Sequence, residues 1–177
     1  MSNPCCRGVD IHTHVVPENF PAYRGRGNAV PWPSMSPAQR CHRHVMISGK
    51  VFRTVPNQCW DGAARIVDMD LMGIERQVLS PMPELLSYWL DAEDGAALAR
   101  HLNVQIAGMV QRHPERFSGL GAVPLQDMTR CLRELEFIVG ELGLAGVEIG
   151  TNVNGKPIGS PEFEPFFAAA AELGIGV

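Results

Sequence analysis

Apolar residues along this chain recur at two spacings, one typical of helices and the other typical of buried strands. Helices are predicted where apolar residues return every three or four positions, and strands where short apolar runs stand between turn residues. The predicted helices are 61–71, 91–112, 127–142 and 161–173, and the predicted strands are 9–14, 77–80, 117–123, 146–149 and one that begins at 175. Strands that alternate with helices are typical of βαβ units with parallel strands.

The ends of the predicted helices carry residues suited to capping. Short polar side chains accept hydrogen bonds from the free N–H groups of a first turn, and glycine allows the left-handed conformation that ends a helix. The predicted caps are Asp61, Asp91, Asp127 and Ser160 at helix starts, and Gly73 and Gly143 at helix ends. Phe163, Phe166 and Phe167 lie along one face of the last helix, and we expect them in the core rather than around a ligand.

This order of elements predicts an α/β fold of the (β/α)8 TIM barrel type. A complete barrel takes about 250 residues, whereas this pattern supplies about five strands. We therefore expect residues 1–177 to form the N-terminal part of a single barrel domain.

Residues 18–60 differ from the rest of the chain, because they are rich in Gly, Pro, Arg and Trp and show no helical period. We predict an irregular insertion between the first strand and the first helix that shapes the barrel mouth. Within it, Lys50-Val51-Phe52-Arg53 predicts a short strand, with Lys50 and Phe52 on one face and Val51 and Arg53 on the other. Cys41-His42-Arg43-His44 lacks a Cys-x-x-Cys pair, so we interpret it as a loop without metal.

The strongest candidate for chemistry is a pair of histidines at the end of the first predicted strand, Val9-Asp10-Ile11-His12-Thr13-His14. Side chains two positions apart on a strand project to the same face, so His12 and His14 can hold one metal ion. The strand exits through Val15-Val16-Pro17, and in a β/α barrel that end is the catalytic face. Asp10 is left without an assigned role.

Composition and charge narrow the function classes. The 177 residues are 45% hydrophobic and carry a formal net charge of −4, with no basic stripe for nucleic acid. No apolar run is long enough to span a bilayer, so we expect no membrane partner and a cytoplasmic location. The five cysteines, Cys5, Cys6, Cys41, Cys59 and Cys131, are odd in number and irregularly spaced, which favours reduced thiols.

Six motifs together resemble one family. In chain order they are His12-Thr13-His14, Gly49-Lys50-Val51-Phe52-Arg53, Cys59-Trp60-Asp61, Ser87-Tyr88-Trp89, Pro114-Glu115-Arg116-Phe117 and Gly146-Val147-Glu148-Ile149-Gly150-Thr151. Their order is similar to that in the 2-amino-3-carboxymuconate-6-semialdehyde decarboxylase family, of the amidohydrolase superfamily (amidohydrolase-2 type). The resemblance runs across the chain from Val9 onward.

The resemblance implies a zinc-dependent, non-oxidative decarboxylase of tryptophan and kynurenine catabolism, or a relative acting on a similar unsaturated or aromatic carboxylate. It implies that His12 and His14 bind zinc and that Arg53 binds a carboxylate of a small-molecule substrate. The planar guanidinium suits that task, because it can form two parallel hydrogen bonds with a carboxylate. Association into a homodimer stays open.

The resemblance also implies residues that this chain does not carry. A third zinc-binding histidine follows the strand that begins at Ile175, and a catalytic histidine and a zinc-binding aspartate come later. His101 and His113 fall on or at the end of a helix outside the barrel, so they are not substitutes. Asn152 stands where some relatives carry a histidine. We therefore assign no catalytic residue within this chain and expect residues 1–177 alone to be inactive.

Two alternatives to decarboxylation remain at this point. The same barrel and metal set also support hydrolysis of a lactone or an amide. A truncated, catalytically inactive fragment is the other alternative, because two protein ligands hold zinc only weakly.

Overall fold

A computed structural model describes residues 8–25 and 30–177. Within these ranges the chain forms nine strands and four helices. In chain order they are β1 (Gly8–Val15), β2 (Ser34–Pro37), β3 (His42–Ile47), β4 (Lys50–Pro56), α1 (Gly62–Met72), β5 (Ile74–Pro81), α2 (Ala92–Arg112), β6 (Phe117–Gly121), α3 (Met128–Gly140), β7 (Gly146–Val147), β8 (Asn152–Val153), β9 (Lys156–Pro157) and α4 (Glu164–Leu173).

The central sheet has four parallel strands in the order β1-β5-β6-β7. One helix lies between each consecutive pair, so the order of strands in space follows the order in the chain. A doubly wound sheet reverses its strand order partway, whereas a β/α barrel adds each new strand on the same side. The predicted fold class is therefore confirmed. The strand expected from Ile175 is present as a single parallel bridge between Gly146 and Gly176, which continues the same order.

Of the four residues predicted to cap helix starts, two form side-chain hydrogen bonds to the first turn and two do not. The Asp61 carboxylate accepts two backbone N–H bonds from the first turn of α1, and Asp127 accepts one from the first turn of α3. Gly73 ends α1 in the left-handed region with φ of 70°. Asp91 precedes α2 without a side-chain bond, and Ser160 precedes a 3₁₀ turn, Pro161–Phe163, rather than α4 itself.

The insertion is more regular than predicted, because β2, β3 and β4 form a three-stranded antiparallel sheet. The strand predicted at Lys50–Arg53 is confirmed and extends to Pro56. The predicted alternation of its side chains is interrupted, because a register shift leaves Phe52 without a cross-strand partner. The interpretation of residues 41–44 as a loop is wrong, since His42 begins β3. Ser48 and Gly49, with φ of 53° and 71°, make the two-residue turn between β3 and β4. Positive φ at both positions matches the right-handed twist of a hairpin.

The insertion sheet packs over the C-terminal ends of the parallel strands. Val45 of β3 and Val55 of β4 share a buried apolar cluster with three residues that each follow a parallel strand. These three are Val16 after β1, Met82 after β5 and Ala122 after β6. Burial of these side chains away from water favours the association of the two sheets.

The larger apolar core lies between the parallel sheet and its helices. Its fully buried side chains include Met69, Leu79, Ile106, Phe117, Leu135, Ile138, Val147 and Phe166. Phe163 and Phe166 lie in this core as expected, whereas Phe167 is 38% exposed. The helices therefore bury one face each against the strands and leave the other face to solvent.

A buried polar network holds the chain where it leaves β6. The side chain of Asn103 accepts a hydrogen bond from the amide of Ala122 (2.7 Å) and donates to its carbonyl (2.9 Å). Asn103 also donates to Glu134 (2.7 Å), whose two carboxylate oxygens accept from Nε of Arg100. Each buried polar atom of Asn103 thus has a partner, and the end of β6 is fixed relative to α2 and α3.

The described cysteines, Cys41, Cys59 and Cys131, carry free thiols, and Cys5 and Cys6 lie outside the described residues. Burial raises the pKa of the Cys131 thiol to about 12, so this group stays protonated at neutral pH. Across residues 8–25 and 30–177, none of the helices combines the length and the apolar content needed to cross a bilayer.

Candidate metal site

His12 and His14 lie on β1 and face the same side of the strand, as their spacing predicts. Their ring centroids are 5.0 Å apart, with the ring planes at 77°. His12 is exposed, and the side chain of His14 is 30% exposed. The two rings lie next to each other near the C-terminal end of the first strand, as predicted.

The hydrogen bonds of His14 determine which ring nitrogen carries the proton. Its Nδ1 lies 3.1 Å from Oγ of Ser80 and 3.1 Å from the carbonyl oxygen of Pro81. The Ser80 hydroxyl donates its proton to the carbonyl of Thr13 (3.0 Å). Its oxygen is therefore the acceptor in the hydrogen bond with His14. A carbonyl also only accepts, and Nδ1 must therefore be the donor. The lone pair then resides on Nε2, which is the state of a metal-binding imidazole.

Glu148 directly follows β7, and its side chain lies next to that of His14. Its Oε2 lies 3.7 Å from Nδ1 of His14. Two strands separate β1 from β7, so a flat sheet would hold them roughly 14 Å apart. The contact therefore requires the parallel sheet to curve around a common interior, as barrel strands do. Sequence reasoning assigned Glu148 no role, although a carboxylate at the end of an apolar strand was the available signal.

The Oε2 atom of Glu148 is buried and has no hydrogen-bond partner among the described residues. A buried carboxylate oxygen without a hydrogen bond has lost hydration that a polar partner or a cation can offset. His14 is neutral when it binds a metal, so it does not offset this charge alone. A divalent cation bound by the neighbouring histidines would offset the charge of Glu148. The residues present thus fit a metal ion.

The backbone of β1 around the two histidines is held by side chains from neighbouring elements. Arg65 of α1 donates to the carbonyl of His14 (2.8 Å) and to Oε1 of Gln77 (3.2 Å). Gln77 donates in turn to Asp10 (3.1 Å), whose other oxygen accepts from the amide of His12 (3.1 Å). Burial lowers the pKa of Arg65, and the charge of Asp10 opposes that effect. These contacts give Asp10 a supporting position beside the pair.

Arg53 lies on β4 in the insertion sheet, on a different element from the histidines. Its guanidinium is 5.8 Å from the centroid of the Phe52 ring. Burial raises the pKa of the Cys59 thiol, and the positive charges of Arg65 and Arg53 oppose that rise. The Cys59 carbonyl accepts from the amide of Val16 (3.0 Å), just after β1. The charge of Arg53 therefore acts on the region next to the end of β1.

The remaining histidines named from the sequence lie elsewhere. Nε2 of His101 on α2 donates to the carbonyl of Asn19 (2.9 Å), and the ring of His113 packs edge-on against Phe117. The side chain of Asn152 accepts from the amide of Gly155 in the β8–β9 turn (3.1 Å). In the part of the chain that the structure describes, no three His, Cys, Asp or Glu side chains are grouped so that they could hold a metal ion.

Tyr88 ties the loop after β5 to the segment that follows Glu148. Its hydroxyl accepts a hydrogen bond from the amide of Gly150 (3.1 Å), and its carbonyl accepts from the side chain of Asn154 (2.9 Å). Burial raises the pKa of Tyr88 to about 12. The phenol therefore stays neutral at physiological pH and fixes the segment after β7.

Because the pKa of Tyr88 is raised, we expect the folded protein to lose stability at alkaline pH. The folded state holds the Tyr88 proton more tightly than the unfolded state, whose pKa is near 10. The free energy of unfolding is then unaffected below about pH 10 and falls, by roughly 2 to 3 kcal/mol, as pH approaches about 12. Urea denaturation between about pH 10 and about pH 12 should show a smaller decrease in the free energy of unfolding for Tyr88→Phe than for wild type. Equal slopes for the two proteins would contradict the role given to Tyr88.

Comparisons with known proteins agree with this geometry. The family model for amidohydrolases matches residues 9–177. The chain is 38% identical, over 96% of its length, to the 2-amino-3-carboxymuconate-6-semialdehyde decarboxylase of Dictyostelium discoideum, of which it covers 47%. It is 27% identical over 91% of its length to the Caenorhabditis elegans protein of the same name, of which it covers 45%. The chain thus spans about half the length of these curated relatives.

One solved structure similar to this chain contains a divalent metal. The chain resembles the 5-carboxyvanillate decarboxylase of Novosphingobium aromaticivorans, crystallised with manganese and 4-hydroxy-3-methoxy-5-nitrobenzoic acid, with a TM-score of 0.63 and 30% identity. The match covers 67% of this chain and 34% of that one. These relatives are decarboxylases, and in this structure the enzyme is bound to a divalent metal and a carboxylic acid. The resemblance inferred from the motifs is confirmed, and the chain belongs to the amidohydrolase family.

Proposed function

We propose that the protein is a metal-dependent decarboxylase acting on 2-amino-3-carboxymuconate-6-semialdehyde or a closely related unsaturated or aromatic carboxylate. The observation that carries the proposal is the convergent pair His12 and His14, with Nε2 of His14 left as a lone-pair donor, in a chain similar to decarboxylases. In this reaction the bond between carbon and carboxylate breaks, its electron pair stays on the carbon, and a proton replaces the carbon dioxide that leaves.

Zinc is the metal that we propose for this site, with His12 and His14 as ligands. Zinc is commonly bound by imidazole, and manganese, found in the similar decarboxylase, is the alternative to test. When bound, such an ion polarises oxygen atoms and makes a coordinated water more acidic. The chain's own residues hold the site: Ser80 and Pro81 fix the ring of His14, and Arg65 fixes its backbone.

We propose that residues 1–177 make up the N-terminal part of one barrel domain. The strand order, in which each parallel strand adds to the same side, supports this arrangement. The remaining metal ligands and the group that transfers the proton are then supplied by further barrel strands. We also propose that residues 18–60 shape the mouth of the site, since Val45 and Val55 pack over the ends of the strands.

Arg53 is proposed to bind a substrate carboxylate. Support comes from its exposure on β4 and from the reach of its charge to Cys59, beside the end of β1. A guanidinium can hold a carboxylate through two charge-assisted hydrogen bonds, and this orients the scissile bond relative to the metal.

The direct test is turnover by the purified full-length protein loaded with zinc or with manganese. We expect 2-amino-3-carboxymuconate-6-semialdehyde, or an aromatic acid such as 5-carboxyvanillate, to be consumed with release of one equivalent of carbon dioxide. A panel of small lactones and amides serves as the comparison, because the same fold supports hydrolysis. Hydrolysis of a lactone without decarboxylation of any acid would overturn the proposal.

A further inference from the structure

Glu148 stands against the ring of His14 and plays no part in the function proposed above. We propose that Glu148 is a positioning residue of the metal site, whose carboxylate accepts the Nδ1 proton of His14 and strengthens Nε2 as a metal ligand. This inference rests on the proposed metal-dependent function. The two residues reach each other across the inner face of the curved sheet, with 3.7 Å between Oε2 and Nδ1.

The sheet holds the backbone of Glu148 in place. The amide of Glu148 donates to the carbonyl of Gly121 at the end of β6 (2.8 Å), and the amide of Val147 donates to the carbonyl of Gly176 (3.0 Å). The backbone amides of Val147 and Glu148 are therefore both hydrogen-bonded to neighbouring segments of the sheet. Within the described ranges, Oε2 is buried without a hydrogen bond, and Nδ1 of His14, which carries a proton, lies 3.7 Å from it.

Nδ1 of His14 already has two neutral oxygen neighbours. Ser80 and Pro81 each offer a neutral oxygen at 3.1 Å, and one N–H is shared between them. Glu148 adds a negative charge on the same side of the ring. A carboxylate near the N–H of a metal-bound imidazole fixes the ring and makes the other nitrogen more basic. At 3.7 Å the carboxylate acts on this N–H as a nearby charge, and a charge-assisted hydrogen bond would bring the two atoms to about 2.8 Å.

The carboxylate acts through His14 and not as a ligand itself. Its oxygen is nearest to Nδ1, whereas the metal is expected at Nε2 of the same ring. Residues 8–25 and 30–177 contain no cluster of three potential ligands in which Glu148 could take part.

The test compares zinc affinity of the metal-free wild type with that of Glu148→Leu and Glu148→Gln, measured by competition with a chelator. We expect Glu148→Leu to weaken affinity about 10- to 100-fold, the range for loss of a carboxylate behind a metal-binding histidine. Glu148→Gln is expected to lose less zinc affinity than Glu148→Leu, since its amide oxygen still accepts a hydrogen bond. Glu136→Leu and Glu136→Gln, at an exposed position on α3, are the matched controls and should retain wild-type affinity.

A second readout separates positioning from a general loss of structure. In the cobalt-substituted protein, the Nδ1 proton of His14 should give a paramagnetically shifted, exchangeable NMR signal that moves in Glu148→Gln. X-ray absorption should show the same number of coordinating atoms in wild type and Glu148→Gln. Wild-type zinc affinity in a folded Glu148→Leu protein, an unmoved proton signal, or the loss of one oxygen ligand would each overturn the inference. If wild type itself binds no zinc, the proposed function fails as well.

Discussion

Replacing His14 with alanine is expected to remove the bound metal and to lower decarboxylation by at least about a thousandfold. Loss of a residue behind a metal ligand already weakens binding about 10- to 100-fold, and loss of the ligand itself costs more. The measurement pairs metal content, from atomic emission of the dialysed protein, with kcat/KM on the carboxylate substrate. His12→Ala should behave in the same way, because the two rings lie side by side on β1, 5.0 Å apart, and are proposed to share one metal.

The control is His42→Ala, at the start of β3 in the insertion sheet. It also tests the second cluster of Cys and His residues, which we interpreted as free of metal. His42→Ala should keep its metal and its activity. A His14→Ala protein that is folded and retains a full complement of metal would exclude His14 as a ligand.

Arg53→Ala is expected to lower kcat/KM at least about a hundredfold while leaving the metal content unchanged. Each hydrogen bond between charged groups contributes about 1.5 to 3 kcal/mol, and a bidentate pair loses two of them. Arg53→Lys should also be impaired, because an ammonium group cannot reproduce the planar fork. Steady-state kinetics and metal analysis on the same preparations separate this role from that of a metal ligand.

Lys50→Ala is the matched control for Arg53, since it removes another exposed positive charge from the same strand, β4. It should leave kcat/KM within about twofold of wild type, as surface substitutions usually do. An Arg53→Ala protein with wild-type efficiency would remove Arg53 from the substrate site.

Local patterns were enough to predict the parallel strands, the four helices and the histidine pair. His12 and His14 share a face because strand side chains alternate, and this depends on nothing beyond the strand itself. Asp61 and Asp127 cap their helices through bonds to the next few residues. Such features are encoded within a few positions of the chain, so a single sequence reveals them.

The insertion sheet and the position of Glu148 were not predicted, for two different reasons. Ser48 and Gly49 mark a tight hairpin, but they stand between strands whose charged and aromatic residues hide the alternation around the buried Val45. Glu148 meets His14 only because four strands curve around a common interior. That contact joins residues far apart in sequence, and no local pattern encodes it.

The central claim is that His12 and His14 hold one divalent metal at the end of β1. The most direct test is a crystal structure of the zinc-loaded protein, with diffraction recorded on both sides of the zinc absorption edge. We expect one anomalous peak at about 2.0 to 2.1 Å from Nε2 of His14 and from one ring nitrogen of His12, the usual zinc–nitrogen distance. A zinc peak bound away from both rings, or coordination through Nδ1 of His14, would contradict it.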